Sequence, residues 1–478
     1  MPLLRQSLSG FDMAWLRMER PTNPMMIVGV MMLAKPVRYE QVYRTLESRL
    51  LRFERFRDIP RSDAIGTRWE TDSLFALESH VHRLTLPPRS GQRHLEAAVS
   101  ELASTQLDGR HPLWQIHLIE HYRRGSVIIA RFHHCYADGM ALLRVLATLS
   151  DEAGTDPRAL ETPAADPVVE GVPLLGALVD TVERVTHGVT SLLSSGMSAL
   201  AHPAETAALA RQVSAASAEL ARIALLPEDP PTPLRQTLCT HKQAAWGKAL
   251  KLDEVKVIAH ALDCTVNDVL LSSTAGAIGQ YLRMTGACID GLSIRALVPI
   301  NMRAQDASVE LGNRFGLIFA TLPIGEADPV RRIEHVHRDM QALKKSAQPL
   351  MSLWLLLGLG LLPKAIETEA IDIFTRKASL VISNVPGPQH PMHFAGARIA
   401  QQLFWVPQAG RLGLGVSLLS YDNRVNFGVI ADRNVLADPA SLVQKFGEEF
   451  ERLLLCVISR LPPAPAKRRR TARMGNIP

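Results

Sequence analysis

The sequence lacks the signatures that mark most common enzyme classes. It has no Gly-x-Ser-x-Gly elbow, so a serine-hydrolase triad would have no seat for its nucleophile. It has no Gly-x-x-x-x-Gly-Lys-Ser/Thr loop to cradle a phosphate. Gly413-x-Gly415 stands alone in a strand-like stretch, not ahead of a helix. Five cysteines, an odd number, are scattered as Cys135, Cys239, Cys264, Cys288 and Cys456. Their spacing fits neither zinc nor a disulfide framework, and reduced, cytoplasmic thiols are the simple expectation. No charged-then-apolar leader opens the chain. No apolar run reaches the roughly 20 residues that span a bilayer. The most hydrophobic stretch, Leu350 to Leu362, is bracketed by Pro349 and Pro363. It predicts a buried or channel-lining helix, with a contact on one membrane face as the alternative.

Charge is nearly balanced. The net formal charge is +6, and the last segment holds Lys467, Arg468, Arg469, Arg470 and Arg473 with no acid. Taking those five away leaves +1 for the body, which argues against a nucleic-acid groove. The basic tail follows Pro462-Pro463-Ala464-Pro465 and has a disordered composition. It serves either as a solubilising tail or as a contact for anionic lipid, at about 1 kcal/mol per basic residue.

The 478 residues, 47% of them hydrophobic, suffice for two large cores. Strand and helix signals alternate over 1–155, predicting an α/β lobe. Met26–Leu33, Trp114–Glu120 and Val127–His134 pattern as strands, Tyr39–Leu51 and Leu95–Gln106 as helices. Over 156–235 Pro, Ala, Ser and Thr rise. Two apolar stripes recur there at helical spacing, Leu178, Val182, Val185, Val189, Leu192 and Leu209, Val213, Ala216, Leu220, Ile223, parted by Pro203. They predict a helical linker that packs on the lobes or docks on a membrane or lipid droplet. A second α/β lobe is expected over 236–461. Its helices are Asp253–His260, Asn267–Leu282 (capped by Thr265) and Pro439–Leu455. Its strands are Ile294–Pro299, Phe315–Leu322, Leu380–Ser383, Gly413–Leu419 and Val425–Ile430, with a hairpin turn at Asp422-Asn423. The basic tail occupies 462–478.

His117-Leu118-Ile119-Glu120-His121 matches an inverted zinc-protease pattern, which works only on a helix. Here the surroundings alternate with period two. On a strand, His117 and His121 would stand about 13 Å apart, too far to share an ion, so no metal is expected.

The most informative segment is His133-His134-Cys135-Tyr136-Ala137-Asp138-Gly139. It lies where the apolar run Ser126 to Phe132 meets a helical pattern, Met140 to Leu149. Strand neighbours point to opposite faces, so His133 and His134 cannot serve one small reacting centre. One works and the other packs. Asp138 could hold the imidazole or pair with an arginine, and Gly139 permits an unusual backbone angle or a close approach. Rigid placement of a histidine is what a general base needs.

His-His-x-x-x-Asp-Gly resembles the signature of CoA-dependent acyltransferases with the chloramphenicol acetyltransferase type of fold, shared by nonribosomal peptide condensation domains. Further segments narrow the match: Asp12-Met13-Ala14-Trp15-Leu16, Pro24-Met25, Pro112-Leu113-Trp114, Val266-Asn267-Asp268-Val269-Leu270 and Val381 to Pro388. Together, and in order along nearly the whole chain, they are similar to the bacterial wax ester synthase/diacylglycerol acyltransferase family. One departure is Met26, where family members often carry histidine after Pro-Met.

The resemblance implies an α/β fold of two such lobes with a substrate channel between them. It implies transfer of a fatty acyl group from acyl-CoA to diacylglycerol or a long-chain alcohol, with acyl-CoA a substrate and no cofactor. His134 would be the general base, acting without a covalent acyl-enzyme, while His133, Asp138 and Gly139 shape the site. Asn267 is a candidate oxyanion donor, its alternative being helix capping. Asp268 would organise the interface between lobes, and an Asp138–Arg303 ion pair would span them. Ser383 and Asn384, ahead of the fixed Pro386-Gly387-Pro388 loop, and Pro112, Leu113 and Trp114 are candidates for walling the channel or holding the site. A cytoplasmic enzyme is expected, peripheral to the inner membrane face or to lipid inclusions if the linker or tail docks there. The competing functions are a condensation-type amide former and a non-catalytic lipid binder on the same scaffold.

Overall fold

The computed structural model describes residues 7–62, 67–151, 225–301, 313, 315–344, 346, 352 and 364–459. Arg303, both linker stripes, the basic tail and, save Ser352, the apolar stretch 350–362 lie outside the described residues.

Two sheets carry the architecture. In the first, Met26–Leu33 lies between Ala397–Trp405 and Gly125–His133, followed by Trp114–Tyr122 and the short Val81–Arg83. The central Gly125–His133 strand is buried at every position. Its continuous apolar run is the pattern of a strand covered on both faces. Ile128, Ala130 and Phe132 join a large core that also takes in Phe315, Val385 and Tyr421 from the second half of the chain. Val127 and Ile129 face a smaller core under the Gln92–Ser104 helix.

In the second sheet, Phe315–Leu322, Ile294–Asn301, Leu380–Pro386, Leu414–Tyr421, Arg424–Asp432 and Lys242–Trp246 lie side by side. The helices Leu252–Ala261, Val266–Met284, Pro329–Lys344 and Pro439–Ile458 contribute to the core beside it. Thr265 caps the Val266 helix as expected, its side chain accepting from the Asp268 backbone N–H. Asp422 and Asn423, at φ 48° and 55°, make the expected turn between two strands.

One sequence expectation changes here. The strand from Leu380 continues through Ser383 and Asn384 to Pro386, because the parallel partner stays in register as far as Pro386 opposite Ser420. Asn384 therefore lies within the strand with Ser383 instead of following it. The chain then leaves this sheet through Gly387, Pro388 and Gln389 and enters the first one as His393–Phe394 and Ala397–Trp405. A side chain at Gly387 would put its Cβ 2.5 Å from the Ser420 carbonyl oxygen, so this crossover needs glycine for close approach.

Candidate active site

His133 ends the central strand and His134 begins the turn after it. The His133 backbone N–H donates to Leu113 O at 2.9 Å, and that of His134 to Met25 O at 2.8 Å. Pro112-Leu113-Trp114 and Pro24-Met25 thus seat the two histidines through the backbone. Tyr136 reinforces the first contact, its hydroxyl accepting from Leu113 N at 3.0 Å and donating to Asp58 O. Trp114 is itself fixed, its indole N–H donating to Phe56 O at 2.8 Å.

The two imidazoles go to different surroundings. His133 is buried, with Nε2 2.6 Å from Glu19 Oε2, and its Nδ1 accepts from the Cys135 backbone N–H at 3.1 Å. An accepting Nδ1 leaves the proton on Nε2, so His133 donates to Glu19 and is a structural group. Burial alone would raise the Glu19 carboxyl, but His133, Gln106 and the Met25 N–H outweigh it and hold it below its usual value.

His134 is only 3% exposed. Its ring stacks on Trp15 at 4.0 Å between centroids and lies 5.7 Å from Phe315. Burial among these rings pushes the imidazole down to about 4, against the pull of Asp138. His134 is therefore neutral at physiological pH, the form able to accept a proton.

Asp138 is buried and caps the Gly139–Leu149 helix, its side chain accepting from Ala141 N at 2.8 Å. The proposed partner Arg303 lies outside the described residues. Gly139 has no positive φ, so of the two reasons for a glycine the close approach applies: a Cβ there would meet Phe404 Cε2 at 3.3 Å.

Asn267 sits in the first turn of the Val266 helix, and its Oδ1 accepts from Asn384 Nδ2 at 2.8 Å. That leaves the Asn267 NH₂ end as the donor. Asp268 accepts from Thr265 N at 2.9 Å and lies 2.7 Å from His337 Nδ1, both partners belonging to the second half of the chain. Ser383 is buried one residue before Asn384. His117, Glu120 and His121 lie on a strand, where His117 stacks on His82 at 5.0 Å. Met26 is buried, with its Sδ accepting from Arg131 Nη2 at 3.3 Å.

Sequence reasoning missed Asn313. Its Nδ2 donates both to the His134 carbonyl oxygen and to Asp12 Oδ1, each at 2.9 Å. These partners lie 179 and 301 residues away, so no local periodicity could announce them. Glu19 was missed for the same reason.

The description "Wax ester synthase/diacylglycerol acyltransferase catalytic domain" matches residues 8–270, and "WS/DGAT C-terminal domain" matches 311–454. A protein named as a probable diacylglycerol O-acyltransferase of Mycobacterium tuberculosis is 28% identical over 405 residues, covering 82% of each chain. The solved wax ester synthase/diacylglycerol acyltransferase from Marinobacter aquaeolei VT8 superposes with a TM-score of 0.67 at 21% identity, over 95% of this chain and 99% of that one. The first condensation domain of the calcium-dependent antibiotic synthetase shares the fold at a TM-score of 0.59 and 14% identity, over 95% of this chain and 96% of that domain. With both family descriptions matched in order around a buried His-His-x-x-x-Asp-Gly turn, the chain belongs to the wax ester synthase/diacylglycerol acyltransferase family and is an acyltransferase.

Proposed function

We propose that the enzyme moves a fatty acyl group from acyl-CoA to the hydroxyl of diacylglycerol or a long-chain alcohol, with His134 as general base. The observation that carries this reading is the neutral, buried His134 ring, packed against Trp15 and Phe315 in the turn after the central strand. Nε2 takes the hydroxyl proton as the oxygen attacks the thioester carbon. The tetrahedral intermediate collapses, the C–S bond breaks, and the imidazolium returns its proton to the CoA thiolate. Positioned proton transfer of this kind contributes roughly 10²–10⁴-fold. Asn267 is the proposed donor to the oxyanion, supported by Asn384 holding its carbonyl end. One such donor is worth about 3–4 kcal/mol in the transition state.

No acyl-enzyme is needed, so both substrates are bound at once. The basic tail and the exposed Ile366 and Ile373, seven residues apart on the Lys364–Thr375 helix, support work at a lipid surface. Among the described residues no helix is long and apolar enough to cross a membrane.

The test is CoA release by wild type and His134→Ala with a diacylglycerol and with hexadecanol as acceptors. The variant should fold and lose transfer to both. Near-normal transfer would assign the base to another group, and, with a long-chain amine as a third acceptor, wild-type CoA release with the amine and not with the alcohols would favour amide formation.

A further inference from the structure

Asp268 lies in the first turn of the Val266–Met284 helix and is buried, yet one of its oxygens is held twice. Oδ2 accepts from the Thr265 backbone N–H at 2.9 Å and lies 2.7 Å from His337 Nδ1. A carboxylate only accepts, so His337 donates through Nδ1–H. The first of these bonds is local. Thr265 and Asp268 satisfy each other's backbone N–H and so complete the cap without help. The second comes from another helix, Pro329–Lys344, 69 residues further along the chain. The His337 side chain is partly exposed and borders a cavity of about 400 Å³ lined also by Leu262, Cys264 and Ile333. Asn267 directly precedes Asp268, and its Oδ1 accepts from Asn384 Nδ2 at 2.8 Å.

We infer that His337 is a positioning residue for acyl transfer: by donating to Asp268 it ties the first turn of the Val266–Met284 helix to the Pro329–Lys344 helix and so fixes the direction of the Asn267 NH₂ group. This rests on Asn267 being the oxyanion donor. A donor to a developing oxyanion is effective when it is aimed beforehand, because no reorganisation is then needed at the moment of reaction. Asn384 restrains the Asn267 side chain from the neighbouring strand. The backbone that carries Asn267 is a helix terminus, where helices fray. A hydrogen bond from a second helix to the adjacent residue removes that freedom. Packing two helices together needs no buried carboxylate, whose burial costs free energy unless donors satisfy it. Here the Thr265 N–H and the His337 Nδ1–H do so.

The experiment uses the full-length protein with three substitutions at one position. His337→Asn puts an amide nitrogen where Nδ1 stood. His337→Gln puts it one bond further out, at the level of Nε2. His337→Ala has no donor and joins its void to the neighbouring cavity. CoA release from a long-chain acyl-CoA with a diacylglycerol acceptor gives kcat and KM. His337→Gln and His337→Ala should lose roughly 10- to 100-fold in kcat with little change in KM for acyl-CoA. His337→Asn should stay within a few-fold of wild type. Imidazole added to folded His337→Ala should enter the enlarged cavity and restore part of kcat, which a merely structural defect would not allow. Asn267→Ala should itself be slower by roughly 10²–10³-fold. In that background His337→Gln should add little further loss, because both act through one donor. Any one of four results overturns the inference while leaving Asn267 as the donor: a wild-type kcat in His337→Gln, a His337→Asn no faster than His337→Gln, a folded His337→Ala that imidazole leaves unchanged, or the same fold loss with and without Asn267. A wild-type kcat in Asn267→Ala removes the donor and the inference with it, so the two failures are distinguishable. If His337→Ala is insoluble, the comparison of His337→Asn with His337→Gln decides.

Discussion

Trp15 lies nearly flat against His134, with ring centroids 4.0 Å apart and planes inclined by 25°. Asp12, one turn earlier on the Gly10–Met18 helix, reaches the His134 backbone through Asn313. Residues three apart on a helix share a face, so one short helix fixes both the ring and the peptide of His134. Trp15→Ala should open space beside the imidazole and cost about 3–5 kcal/mol of stability, the usual range for truncating a buried aromatic. Water reaching the ring should move its pKa back toward that of free histidine and shift the acid limb of the pH–rate profile upward. Trp15→Phe should preserve most of both properties. A pH–rate series on the two variants checks this, and an unmoved limb in Trp15→Ala would separate the stacking from the pKa.

The wild-type profile should have its His134 acid limb near pH 4, where the buried ring finally gains a proton. The same burial affects stability. His134 sits at about 4 and His117 at about 3, both displaced downward mainly by burial, while in the unfolded chain each titrates near 6.5. Between those limits the unfolded chain holds protons that the native protein does not, so stability falls as the pH drops below about 6.5. Each ring contributes about 1.4 kcal/mol per pH unit within its window. Urea unfolding at pH 7, 6 and 5 should show this decline, reduced in His117→Gln. Equal pH dependence in the variant and wild type would contradict it.

The Gly125–His133 strand was legible because burial on both faces leaves a continuous apolar run, Val127 to Ala130, that no surface strand would carry. Thr265 and Asp422-Asn423 were legible because caps and tight turns are local chemistry. The Ala397–Trp405 strand was not, because Gln401 and Gln402 interrupt its apolar pattern and its neighbour, Met26–Leu33, comes from the opposite end of the chain. The site divides in the same way. Its histidines and their spacing stand in one heptapeptide, but the groups that surround them, Glu19 at the His133 ring, Trp15 and Phe315 at the His134 ring and Asn313 at the His134 carbonyl, arrive by long-range folding.

Glu19 joins His133 to Met25, whose carbonyl holds the His134 backbone. Glu19→Gln keeps an oxygen for these contacts but removes the charge. Charge-assisted hydrogen bonds are roughly twice as strong as neutral ones, so the variant should lose about 1 kcal/mol at pH 7. The sign with pH follows from the depressed carboxyl. The wild-type advantage is complete above the unfolded-state value near 4.5 and disappears as the pH falls through the lower folded-state value. Denaturation at pH 7 and pH 3.5 measures the difference. Glu19→Ala, which also leaves the His133 N–H unpaired, should cost more and lower kcat by loosening the Met25–His134 contact.

Glu367 presents the opposite case. Its side chain is 2% exposed, neither carboxyl oxygen has a hydrogen-bond partner among the described residues, and the nearest cation, Arg17 Nη1, is 3.9 Å away. Burial lifts the acid to about 7 against the pull of Arg17 and Lys364. The folded protein thus keeps a proton between about 4.5 and 7 that the unfolded chain has lost, and stability falls as the pH rises across that window. At about 1.4 kcal/mol per unit, the accumulated loss is on the order of 3 kcal/mol above pH 7. Glu367→Gln cannot ionise, so it should unfold at higher urea than wild type at pH 8 and show no such advantage at pH 4. A variant less stable than wild type at pH 8 would mean that attraction to Arg17 outweighs the cost of burying the carboxylate.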